Sequence, residues 1–79
     1  MAEIAKELRD LEGAKSRVAE GERLVAEQEQ RLEGLRKHGH PTEEAGRILA
    51  RHRGALQARR DTQAIIERIL DDIEAGRLQ

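Results

Sequence analysis

The chain contains no cysteine, phenylalanine, tyrosine or tryptophan, and it has one proline. Without cysteine it can form neither a disulfide nor a thiolate metal site. Without aromatic side chains it lacks the stacking platforms on which proteins usually hold single-stranded nucleic acid. Charged residues make up 39% of its 79 residues, yet the net charge is only −1. This balance excludes a strong field of one sign that would attract nucleic acid to the whole molecule.

Long apolar runs are absent as well. The first ten residues, MAEIAKELRD, are charged from the third residue onward, which is typical neither of a signal peptide nor of a membrane span. We therefore expect a cytoplasmic protein without membrane association. The sequence also shows no glycine-rich phosphate loop and no nucleophile motif, so we expect no enzyme activity and no cofactor.

Helical periodicity runs through both halves of the chain. In the first half an aliphatic residue recurs every seven positions, at Ile4, Leu11, Val18, Val25 and Leu32. A sustained seven-residue repeat is typical of a coiled coil. In the second half, aliphatic residues recur at spacings of three and four, as they do on one face of a helix. No alternating stretch competes, so the sequence predicts an all-α fold.

The segment KHGHPTEEAG, residues 37–46, interrupts this periodicity. We expect Gly39 to adopt a positive φ after the first helix, because glycine does so without steric penalty. Pro41 disfavours a helical conformation for the residue before it. Thr42 is a suitable N-cap for the second helix, although His40 could be the cap instead, with Pro41 as the first helical residue.

Such a short connection makes the two helices antiparallel neighbours. The sequence therefore predicts one antiparallel two-helix coiled-coil hairpin over residues 1–79. Helix one covers about 2–37, the turn 38–42 and helix two about 43–75.

We predict a register in which the numbers of facing residues sum to about 81. Glu22 then faces Arg59, Glu29 faces His52, and opposite charges meet along the hairpin. The predicted hairpin seam consists of ten aliphatic residues: Leu8, Leu11, Val18, Val25, Leu32, Leu49, Leu56, Ile66, Leu70 and Ile73.

Four further aliphatic residues, Leu24, Ile48, Ile65 and Ile69, stand directly beside seam residues in the sequence. At about 100° per residue, two adjacent residues cannot both face one narrow seam. We therefore expect these four to form an oligomer interface, in which two hairpins pack into a four-helix bundle as a homodimer. A heterologous helical partner is the alternative.

Two groups of polar residues allow other functions. His38 and His40 could bind Zn²⁺ or Ni²⁺, but His52 lies roughly 12 Å further along helix two. We therefore expect the histidines to serve the turn and no metal to bind. Five arginines of helix two could contact phosphates in a small nucleic-acid-associated regulator: Arg47, Arg51, Arg53, Arg59 and Arg60.

We expect these arginines to pair instead with glutamates of helix one, and we do not expect nucleic acid as a partner. The preferred interpretation is a non-enzymatic interaction or scaffold module. It would act through self-association or by docking on a helical partner.

The stretch VAEGERLVAEQEQRLEGLRKHGHPTEEAGRIL, residues 18–49, carries an AEGE-R-x-x-A-x-Q pattern followed by a G-H-x-T turn. In these features it resembles a group of short uncharacterised bacterial helical proteins, over a little under half the chain. Pro41 stands where that group often carries Asp. The resemblance implies a small cytoplasmic helical protein, and it implies no activity, ligand or catalytic residue. The matching residues are Ala19, Glu20, Gly21, Glu22, Arg23, Ala26, Gln28, Gly39, His40 and Thr42.

Overall fold

The computed structural model describes residues 2–76 and contains two helices in that range. Helix α1 is Ala2–Lys37 and helix α2 is Glu43–Glu74. They pack against each other as an antiparallel hairpin that measures 59 × 15 × 13 Å. The predicted all-α hairpin is therefore confirmed. Neither described helix combines enough length with enough apolar character to cross a membrane.

Helix α1 ends in a motif that depends on glycine. Gly39 has φ of 73°. Its backbone N–H donates to the carbonyl of Arg36 at 3.2 Å, and the N–H of His40 donates to the carbonyl of Leu35 at 2.9 Å. This pair of bonds is the Schellman arrangement, which satisfies carbonyls that the helix itself cannot pair. The chain thereby reverses direction within a few residues.

Helix α2 begins without the side-chain cap that its sequence suggests. Thr42 occupies the N-cap position, and Pro41 precedes the helix. The hydroxyl of Thr42 makes no capping hydrogen bond, because Thr42 has φ −118° and ψ −2°. A capping side chain normally requires an extended backbone at this position. Glu43 and Glu44 lie in the first turn, where negative charge favours the helix.

The contact between the helices follows two series of residues at alternating spacings of three and four. Each of these residues is buried or half-buried. The most deeply buried hydrophobic residues are Ala14, Ala45, Leu49, Leu56 and Leu70, with exposed fractions from 1% to 8%. We call this set the seam. On α1 it is Ile4, Glu7, Leu11, Ala14, Val18, Gly21, Val25, Gln28, Leu32 and Leu35, and on α2 it is Ala45, Leu49, His52, Leu56, Arg59, Gln63, Ile66, Leu70 and Ile73.

The seam includes nine of the ten predicted seam residues and excludes Leu8. Leu8 is 51% exposed. Its neighbour Glu7 is in the seam instead, with a side chain only 17% exposed. The reason is geometric, because steps of three and four from Ile4 to Leu11 pass through residue 7. Placing Leu8 in the seam was therefore wrong, although it still borders a hollow beside Leu70.

Candidate interaction surface

Residues that directly follow seam residues lie on one side of the hairpin, and this side carries two salt bridges between the helices. Arg60 Nη2 donates to Glu22 Oε2 at 3.2 Å. Arg53 Nη2 donates to Glu29 Oε2 at 2.8 Å. The residue numbers of both pairs sum to 82. We call these four residues the charged flank.

The predicted pairs of Glu22 with Arg59 and of Glu29 with His52 were wrong by one residue. Arg59 and His52 belong to the seam, whereas the flank positions lie one residue further round α2. Arg59 instead reaches across the seam, where its Nη1 donates to the backbone carbonyl of Arg17 at 2.9 Å. Opposite charges do meet along the hairpin, as the charge pattern predicts.

The salt bridges of the charged flank align the helices more than they stabilise them. The four side chains involved are between 48% and 59% exposed. Solvent screens ion pairs of this kind, and each contributes about 0–1 kcal/mol. Their value lies in specificity, because a shifted register would separate both pairs.

The seam itself contains polar contacts and one close approach of the two helices. Gln28 Nε2 donates to the carbonyl of Ala45 at 3.2 Å. A Cβ added to Gly21 would lie 3.1 Å from Leu56 Cδ1. Together with Arg59, these contacts hold the middle and the turn end of the hairpin in one alignment.

Ion pairs within α1 shift the pKa values of exposed groups. Arg23 bonds to Glu20 and Glu27 on the same helix face. The hydrogen bond from Arg23 lowers the pKa of the Glu20 carboxyl below 4.5. The two carboxylates raise the pKa of Arg23 in turn. A hydrogen bond of 2.7 Å to Asp10 likewise raises the pKa of Lys6 above 10.5.

The opposite side of the hairpin carries the aliphatic residues that directly precede seam residues. Ile65 is 60% exposed, and its neighbours on this side are half-buried or, in the case of two alanines, exposed. The partner helix cannot cover these positions, because they point away from the seam by about a quarter of a turn or more. We call this set the apolar flank: Leu24, Ile48, Ala55, Ala58, Ile65 and Ile69.

The structure thus brings all four predicted interface residues to one side of the hairpin. Sequence reasoning missed Ala55 and Ala58, whose small side chains gave no hydrophobic signal. Every residue of the apolar flank directly precedes a seam residue. Ala55 and Ala58 directly precede Leu56 and Arg59, so this rule would have identified them from the sequence.

A hollow of about 250 Å³ lies at the turn end of the apolar flank. Ile48, Leu35 and Pro41 supply its apolar surface, and Arg31 and Glu44 line it with polar groups. Pro41 is therefore part of this surface as well as of the turn. The hollow is open to solvent, and both polar and apolar groups line it.

The turn histidines contact the helix end. Nδ1 of His38 lies 2.8 Å from the carbonyl oxygen of Gly34, so this nitrogen carries the donated proton. The rings of His38 and His40 stack with centroids 6.4 Å apart. His52 lies away from them in the seam. Among the described residues, no group of three or more histidine or acidic side chains could hold a metal ion.

Three of the five helix-two arginines are engaged with α1. Arg53 and Arg60 form the charged flank, and Arg59 bonds to a carbonyl across the seam. Arg47 and Arg51 are exposed and have no hydrogen-bond or ion-pair partner within residues 4–76. Of the five arginines, and among the described residues, Arg47 and Arg51 are the two without an internal contact that a phosphate would have to displace.

On the apolar flank, aliphatic side chains therefore remain exposed or half-buried, because the partner helix within the hairpin does not cover them. No protein-family model matches the chain, and comparison with curated proteins and with solved structures gives no match either.

Proposed function

We propose that this protein is a non-enzymatic interaction module that docks through its apolar flank, either on a copy of itself or on a helix of another protein. The observation that carries the proposal is the alignment of Ile65, 60% exposed, with three other large aliphatic residues on one side of the hairpin. Single exposed aliphatic residues are ordinary on protein surfaces. Several aliphatic residues gathered on one side are more typical of an interface. Charged residues share this side, since Arg51 directly precedes His52 and Arg31 directly precedes Leu32.

The energetics of burial support this proposal. Complete burial of an isoleucine or leucine side chain contributes about 1.5–3 kcal/mol. Three residues of the flank are already half-buried, so they contribute only the remainder. Burying the surface that these three side chains and Ile65 still expose would contribute several kcal/mol in total. This free energy is comparable to the lower estimates of the cost of association.

The shape of the surface favours a helical partner. The two parallel ridges of a hairpin leave a shallow groove between them, and another helix pair packs into it in four-helix bundles. Ala55 and Ala58 lie at the middle of the flank, where small side chains permit a close approach of a docked helix.

Two matched substitutions test the proposal. Ile65→Gln removes an exposed aliphatic side chain from the apolar flank, and Leu8→Gln removes one of similar exposure from the other side. Tagged wild-type protein should co-isolate a second copy or a different protein from its own cell lysate. Adding Leu24→Gln to Ile65→Gln should abolish that recovery, whereas Leu8→Gln should retain it. Equal recovery by all variants, with equal helicity by circular dichroism, would overturn the proposal.

A further inference from the structure

We draw no further inference here: the strongest candidate, the apolar flank along one side of the hairpin, carries nothing beyond the proposed function, because nothing in the structure of residues 2–76 shows what covers it.

Discussion

Gly21 packs directly against Leu56 in the seam, and a methyl group on Gly21 would lie 3.1 Å from Leu56 Cδ1. Leu56 is only 5% exposed, so it has little room to move away. The approach of α1 to α2 at this point therefore depends on the missing side chain. Gly54, on α2, has nothing within 4 Å of the same added atom.

Alanine at these two glycines should have opposite consequences. Gly54→Ala should raise the free energy of unfolding by about 0.5–1 kcal/mol, because alanine is the better helix former and meets no neighbour. Gly21→Ala should lose that gain and destabilise by about 1 kcal/mol or more, since Leu56 must shift. Urea unfolding followed by circular dichroism measures both. Equal stabilisation by the two substitutions would show that the helices do not approach closely at Gly21.

The turn should depend on its glycine and not on its histidines. Gly39→Val should lower the free energy of unfolding by about 1–2 kcal/mol, because a β-branched side chain resists the observed φ of 73°. The combined His38→Gln and His40→Gln variant should keep its helicity and assembly, since glutamine can still donate to a carbonyl. Thermal unfolding compares the variants. A tight, stoichiometric metal complex that the double variant loses would contradict a purely structural turn.

The charged flank should show a small and specific coupling. A double-mutant cycle with Glu29→Gln and Arg53→Gln should give a coupling energy of about 0.2–1 kcal/mol, because both side chains are half exposed. The coupling should fall at high salt. A cycle of Glu29→Gln with Arg51→Gln is the control, and it should show none. Similar coupling in the two cycles would argue against the observed register.

Acid titration should reveal the bond between Arg23 and Glu20. The pKa of Glu20 is lowered, so its contribution to stability is present above the unfolded-state pKa and is lost as the pH falls through the folded-state pKa. Nuclear magnetic resonance titration of the Glu20 carboxyl should give a pKa below 4.5, and Arg23→Gln should move it back toward 4.5. An unchanged value in Arg23→Gln would assign the shift to another cause.

Periodicity and turn chemistry predict the hairpin because both act locally. Repeats of three and four define the seam, and Gly39 ends α1. The sequence did not predict correctly which of two neighbouring residues lies in the seam, or whether a suitable side chain caps a helix. Leu8 is more hydrophobic than Glu7, yet helix geometry places Glu7 in the seam. Thr42 has the right hydroxyl, but its backbone is not extended.

The flanks were predictable in part. Leu24, Ile48, Ile65 and Ile69 were identified as surplus to a narrow seam, and the structure places them on one side. The predicted partners of Glu22 and Glu29 were seam residues of α2. The residues that pair with them, Arg60 and Arg53, each directly follow one of those seam residues. Interhelical pairs at the flank depend on the rotation of both helices, which no single sequence pattern determines.

Sedimentation equilibrium of the purified chain at micromolar concentration tests most directly whether the apolar flank joins two copies. We expect a mass near twice the 8.9 kDa of one chain for the wild type and for Leu8→Gln. The combined Leu24→Gln and Ile65→Gln variant should shift toward the mass of one chain. A folded, cooperative wild-type monomer at these concentrations would contradict self-association through this surface.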